Sequence, residues 1–265
     1  MTALPTALIT GASSGIGATY ADRLARRGHP LKLVARDAGR LEAVAERLRA
    51  ETGIAIETRL ADLTRSDALR DIAEWIAADS SLGLLVNNAG VAMVGRMLDG
   101  DPDRLEAMIQ LNTIASTRLA LAAARKFATR GTGTIINIAS VVALMPERFH
   151  GVYSGTKAYL LNFSQALHGE VGPLGVRVQI VLPGATRTAI WENAGTSAEA
   201  LPSEMLMDVN EMVDAALAGL DQGELVSIPS LDRAERFDAL TALRAQLAPD
   251  LSLRHAAARY RFASA

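Results

Sequence analysis

The sequence predicts an α/β fold, a doubly wound parallel sheet of about seven strands with helices on both faces. Three observations carry this reading. Short aliphatic runs alternate with longer amphipathic stretches rich in Ala, Leu and Arg. The first run ends in a glycine-rich turn that feeds a helical pattern. A composition of 49% hydrophobic and 21% charged residues over 265 positions can bury a large core, which excludes disorder and fibrous structure. Strand–helix alternation of this kind favours parallel strands joined through helices.

The elements follow in order along the chain. Residues 7–10 predict the first strand and 16–27 its helix; 31–35 and 39–51 repeat the pattern. Strands at 54–60 and 82–86 flank a helix at 66–78. A long helix over 103–129 precedes a strand at 133–139, and a helix over 152–171 precedes one at 176–182. A weaker last strand lies at 225–228. The Gly-, Thr- and Ser-rich stretch 183–202 interrupts the alternation and predicts a flap over a ligand site, about 185–207. The tail, about 231–260, predicts two helices belonging to the same single domain, 1–265, and not a second one.

Lys+Arg at 27 against Asp+Glu at 29 gives a net charge of −2. That balance predicts neither a nucleic-acid partner nor an anionic membrane surface. With no cysteine, disulfides, iron–sulfur clusters, cysteine nucleophiles and thiolate zinc sites are excluded. His29, His150, His168 and His255 share no ligand spacing, so no metal site is expected. His150 reads as an exposed loop residue. No window reaches the ~18–20 apolar residues of a membrane span, and the N-terminus lacks a basic signal region. A cytoplasmic protein is the expectation.

The glycine turn reads Gly11-Ala12-Ser13-Ser14-Gly15-Ile16-Gly17. Gly11 allows the tight turn, Gly15 lets backbone approach a pyrophosphate, and Gly17 permits close packing of helix on strand. Phosphates would meet the unpaired N–H groups and positive dipole end of the helix. Farther on, Ser140 ends a strand, and Tyr153-Ser154-Gly155-Thr156-Lys157 opens a helix. Positions i and i+4 share a helix face, so Tyr153 and Lys157 project together. A cation beside a phenol is expected to lower its pKa from about 10. Such a phenol exchanges a proton with a carbonyl or alcohol oxygen, and Ser140 can hydrogen-bond the same oxygen. Only Lys32, Lys126 and Lys157 are lysines, so lysine is not filler here.

On these motifs the chain resembles the short-chain dehydrogenase/reductase family, of the compact single-domain Rossmann type, with the match running in order across residues 6–188. The resemblance implies an NAD(P)-dependent oxidoreductase acting on a small-molecule carbonyl or secondary alcohol. Tyr153 would be the acid/base and also a cofactor contact, Ser140 would position the substrate oxygen, and Lys157 would hold the ribose. Asn112 would distort its helix and hold a water for the lysine. Ser13, Ser14, Ile16, Asn88, Ala89, Gly90 and Leu63 fall at cofactor positions, and Asp62 would accept from the adenine amine. In Asn87-Asn88 the first Asn would tie the sheet together. Pro183, Gly184, Thr186 and Thr188 match the segment that orients the carboxamide. Where NAD-users end the second strand with an acid, this chain has Ala35, followed by Arg36. NADP(H) is therefore the preferred cofactor, with Arg36 against the 2′-phosphate and NAD(H) as the alternative. The family's pairing through the helices at 103–129 and 152–171 implies a homodimer or homotetramer.

On the substrate side, Leu144, Met145, Phe149 and Trp191 could line an apolar pocket or simply pack. Two other functions stay open. An epimerase or dehydratase of the same fold uses the same Tyr and Lys, usually with a larger C-terminal domain. A cofactor-sensing binding protein would need no catalysis, though Ser140, Tyr153 and Lys157 together speak against it.

Overall fold

The computed structural model describes residues 4–260. Its seven strands are β1 (Thr6–Thr10), β2 (Leu31–Ala35), β3 (Ile56–Leu60), β4 (Leu82–Asn87), β5 (Gly133–Ile138), β6 (Val176–Val181) and β7 (Val226–Ser227). All pair in parallel, in the order β3-β2-β1-β4-β5-β6-β7. The order reverses between β1 and β4, and a crevice outside the carboxyl ends of the strands opens at such a switch point.

The helices are α1 (Gly15–Arg26), α2 (Ala38–Thr52), α3 (Ser66–Ala78), α4 (Pro102–Ile109), α5 (Ser116–Arg130), α6 (Gly151–Val171), α7 (Ile190–Asn193), α8 (Val209–Asp221) and α9 (Glu235–Gln246). Side chains alternate across a strand, and the central strands use this to feed two cores. Ala7 and Ile9 of β1, with Leu31 and Leu33 of β2, join Tyr20, Leu24, Leu48 and Met212 on one face. Leu8 and Val34 point the other way, into a core with Ile72, Leu119, Phe127 and Leu167. Both faces of β1 and β2 are buried, which is why these strands read as unbroken apolar runs.

Local chemistry sets the element ends. Asp37 caps α2 by accepting from Arg40 N at 2.9 Å, and Gly53 at φ 69° ends it. Asp208 caps α8 through the amides of Asn210 and Glu211. The last strand is shorter than expected, and β3 begins at Ile56 where the sequence suggested 54.

Two expectations need correction. The helix expected as one piece over 103–129 is split by a π-helical turn, Gln110–Ala115, with Asn112 inside it. The tail has one α-helix, α9, followed by short 3-10 turns at Ala248–Asp250 and Ala258–Tyr260, where two helices were expected. By its internal contacts the chain divides after Pro229, with Ser230 onward a separate small unit. The 183–202 stretch is also less irregular than its composition suggested. It holds α7 and a 3-10 turn at Ala198–Ala200, a second 3-10 turn follows at Ser203–Met205, and Thr186 bridges to Met207 in parallel. Among the described residues no helix is long and apolar enough to cross a membrane.

Candidate active site

A cleft of about 640 Å³ opens at the carboxyl ends of the strands, on the switch point. Its floor is the β1–α1 turn, from Gly11 through Ser13, Ser14, Gly15 and Ile16. One wall is the end of β2, with Ala35, Arg36, Asp37 and Arg40, and the turn after β3, with Ala61 and Leu63. The other is the turn after β4, Asn88 to Val91, with Leu111, Thr188, Ala189 and Ile190.

The turn needs its glycines. Gly11 and Gly15 have φ of 65° and 51°, a region that favours glycine. A Cβ on Gly17 would stand 2.2 Å from Gly11 O and 2.5 Å from Asn88 Nδ2. Gly17 therefore lies outside the cleft lining but lets α1 sit against the turn. Asn88 braces the same turn, its Nδ2 donating to Thr10 O at 2.9 Å, while Thr10 Oγ1 accepts from Asn88 N and Ala89 N. Asn87 acts elsewhere, donating to Ser116 O at the start of α5. Each Asn thus has a separate anchoring contact: the first ties the sheet to a helix, the second ties β4 to the glycine turn.

Asp62 braces its own turn with one carboxylate oxygen. Its Oδ1 accepts from Thr64 N at 3.0 Å and Thr64 Oγ1 at 2.8 Å, while its neighbours Ala61 and Leu63 face the cleft. At the end of β2, the acidic neighbour of Arg36 is engaged: Asp37 caps α2 and pairs with Arg40 Nε at 3.3 Å. Arg36 is exposed on the cleft wall and has no ion-pair partner among the described residues. Arg40 is a lining cation that the sequence reading missed; an Asp cap three residues ahead of it was the available signal.

The second part of the site joins the cleft at Gly90. A Cβ there would stand 3.1 Å from Asn112 Oδ1 and 3.5 Å from Lys157 Nζ. Asn112 is buried, its Oδ1 accepting from Val91 N at 3.0 Å and its Nδ2 donating to Val91 O and to Thr156 Oγ1. Thr156 in turn donates to Tyr153 O at 2.8 Å. Lys157 is buried, donates to Ile138 O at 3.0 Å, and stands 5.9 Å from the centre of the Tyr153 ring. All three lysines are committed, since Lys32 pairs with Asp79 at 2.7 Å and Lys126 donates to Ala77 O.

The charge state of this pair departs from expectation. Burial pushes the Tyr153 phenol up to about 12, and a hydrogen bond from Ser140 pulls the other way without prevailing. Burial also pulls the Lys157 ammonium down to about 8. Loss of solvation outweighs the stabilisation that spacing alone suggested. The Ser140 hydroxyl has Pro183 O within 3.3 Å besides the phenol, and Val141 N also donates to Pro183 O. Ser140 and Pro183 are thereby held together at the ends of β5 and β6.

Past Pro183, the side chain of Thr186 donates to Gly184 O at 3.1 Å, and Thr186 O accepts from Trp191 Nε1 at 2.8 Å. Thr188 lies against the glycine turn, 3.2 Å from where a Gly15 Cβ would be. Met145 and Phe149 are exposed. His150, expected to be an exposed loop residue, is buried, and neither ring nitrogen has a hydrogen-bond partner among the described residues. It occupies the N-cap position of α6 without a side-chain capping hydrogen bond. No cluster of His, Asp or Glu among the described residues could hold a metal ion.

Comparison with known proteins agrees with this geometry. The short chain dehydrogenase family profile matches residues 5–199. A short-chain dehydrogenase from Sphingobium yanoikuyae, solved in complex with NADPH, superposes with a TM-score of 0.95 at 52% identity, over 97% of this chain and 100% of that one. A bulky-bulky ketone specific alcohol dehydrogenase from Comamonas testosteroni gives 0.90 at 48% identity, over 98% and 99%. Human 17-beta-hydroxysteroid dehydrogenase type 3 is 33% identical over 195 residues, 72% of this chain and 62% of that enzyme. A parallel seven-stranded sheet, a glycine-turn cleft and a matching profile lead to one conclusion: the chain belongs to the short-chain dehydrogenase family and is an oxidoreductase by descent.

Proposed function

We propose that the protein is an NADP(H)-dependent oxidoreductase that interconverts a ketone and a secondary alcohol. The observation that carries this is the junction at Gly90, where the dinucleotide-shaped cleft meets the buried Asn112–Lys157–Tyr153 group. The cleft's own lining supports a dinucleotide, since Gly11 and Gly15 hold the turn at positive φ and a Cβ on Gly17 would be blocked by Gly11 O. The glycine turn and the N-terminus of α1 would hold the pyrophosphate, and Lys157 the ribose. Thr186 and Thr188 would meet the carboxamide, and Ala61, Asp62 and Leu63 the adenine. The bound nicotinamide supplies or accepts the hydride.

Tyr153 gives its phenolic proton to the substrate oxygen in reduction and takes it back in oxidation. A phenol held near 12 keeps its proton at neutral pH, which suits the reducing direction. Ser140 turns its one hydroxyl proton toward the substrate oxygen and steadies the charge that develops there. Lys157 is the cation that favours the phenolate for the reverse step, and Asn112 fixes the turn beside it. The likeness to a bulky-ketone dehydrogenase supports ketones with two large substituents as the first substrates to try, against Leu144, Met145, Phe149 and Trp191. Two or four copies would associate through α5 and α6; Ile114 of the π turn just before α5 and Tyr159 of α6 are exposed, with Tyr159 stacked on Phe163 at 6.0 Å.

Two measurements test this reading. With any accepted ketone, kcat/KM for NADPH should exceed that for NADH by roughly tenfold to a hundredfold, because a hydrogen bond to a charged group is worth about 1.5–3 kcal/mol. In Ala35→Asp the preference should shrink or invert; a wild type that favours NADH removes the Arg36 assignment. The pH profile is the second. The Lys157 ammonium is lost above about 8, so kcat/KM for reduction should be level at neutral pH and fall above that value. Lys157→Arg should carry the falling limb to higher pH. A level profile from pH 7 to about 9.5 would contradict the role given to the lysine cation.

A further inference from the structure

We propose that the groove between α3 and α5 is a binding site for an oligophosphate, a small ligand carrying several linked phosphates. The two helices pack through Leu69, Ile72 and Ile76 against Leu119, Ala123 and Phe127. Beside that contact lies a groove of about 770 Å³, which shares no lining residue with the dinucleotide cleft. The short side chains of Ala73, Ala77 and Ala122 give it depth. Its walls carry Arg70, Arg118, Arg125, Lys126 and Arg130 against one carboxylate, Glu74. Five cations less one carboxylate leave a local excess of four positive charges, in a chain whose net charge is −2.

The chain does not neutralise these cations itself. Arg23, Arg26, Arg27 and Arg49 each sit beside a carboxylate, but none of the five groove cations does so among the described residues. Two of them are fixed in place: Lys126 Nζ donates to Ala77 O at 3.0 Å and Arg130 Nη1 to Leu82 O at 2.8 Å. The guanidinium groups of Arg70, Arg118 and Arg125 have no hydrogen-bond partner among the described residues, and all three residues are exposed. Like charges gathered without counter-ions repel one another, and a bound polyanion relieves that repulsion. Four of the five are arginines, whose planar fork matches a phosphate through two hydrogen bonds. Arg118 to Arg130 spans about 18 Å of α5 at 1.5 Å per residue, more than one phosphate bridges. No aromatic side chain lines the groove among the described residues, so it offers no platform on which the bases of a single strand could stack. The ligand is therefore recognised by its phosphates. Thr117 Oγ1, 2.9 Å from Tyr159 OH, marks the side of α5 turned toward α6; the groove opens on the side turned toward α3. The inference does not rest on the hydride-transfer reading.

Calorimetric titration of the full chain with tripolyphosphate tests it, in low salt and with NADPH in excess to occupy the cleft. Tripolyphosphate should bind at least ~100-fold more tightly than inorganic phosphate, which can reach fewer of the cations. Arg118→Ala and Arg125→Ala should each weaken binding about tenfold, since each removes a charged hydrogen-bond donor. Glu74→Gln should tighten it about threefold by removing the opposing charge. A nucleoside triphosphate should bind within about threefold of tripolyphosphate if the phosphates alone are read. Turnover should stay within about twofold in all three variants, which separates this test from that of the catalytic reading. Absence of tripolyphosphate binding overturns the proposal, as does unchanged affinity in the Arg118→Ala/Arg125→Ala double variant. So does tighter binding of a single-stranded DNA of equal charge. A double variant whose mass halves in sedimentation velocity also overturns it, because a second copy of the chain would then fill the groove.

Discussion

Tyr153→Phe should lower kcat for ketone reduction by about 10²–10⁴-fold or more, the range of general acid–base contributions. The substitution keeps the half-buried ring and removes only the hydroxyl that Ser140 hydrogen-bonds. Dinucleotide affinity should stay within about threefold, because the ring keeps its packing and only the exchangeable proton is lost. Stopped-flow turnover and fluorescence titration with NADPH read the two effects separately. Lys157→Ala should differ in kind: it should weaken cofactor binding as well as turnover, and it empties a buried site whose donor now serves Ile138 O. Full turnover in Tyr153→Phe would end the assigned chemistry.

Gly17→Ala should be the most damaging change in the cofactor cleft. The added Cβ would meet Gly11 O at 2.2 Å, a backbone atom with nowhere to go. To relieve the clash α1 must lift from the turn, carrying its N–H groups away from the phosphates. Overpacking costs about 1–3 kcal/mol, and each kcal/mol lowers Tm by roughly 2–4 °C in a chain of this size. NADPH affinity should fall about 30-fold or more. Calorimetry and titration on the same preparation check both numbers. Affinity within about twofold of wild type would mean that the turn does not hold the pyrophosphate.

Much of this architecture was legible because single residue types have single uses at a strand end. Gly11, Gly15 and Gly17 have little use but a phosphate turn once a strand precedes them and a helix follows. The aliphatic runs of β1 and β2 announced strands buried on both faces. The misses share a cause: they depend on what packs from elsewhere in the chain. The resemblance placed a helix-distorting Asn at Asn112 and a π turn lies there, but the contacts of its side chain with Val91 and Thr156 come from other elements. Four-residue spacing put Tyr153 and Lys157 on one face. It could not show that burial would raise one and lower the other, or that Ile138 O would take the lysine's hydrogen bond. His150 sits in a loop that gives no local sign of burial. Arg40 was overlooked because its neighbour Arg36 already filled the expected role. The tail was expected to form two helices and forms one, α9, whose Leu240, Leu243 and Leu247 are exposed.

Deuterium transfer tests the central claim most directly. The purified chain is incubated with NADPH labelled with deuterium at C4, on one face and then the other, and a panel of ketones bearing two large substituents. The alcohol product is read by mass spectrometry and NMR. The account predicts deuterium on the carbinol carbon from one face only, with transfer lost in Tyr153→Phe. Oxidation of NADPH without label in an alcohol, or transfer that persists undiminished in Tyr153→Phe, would contradict it.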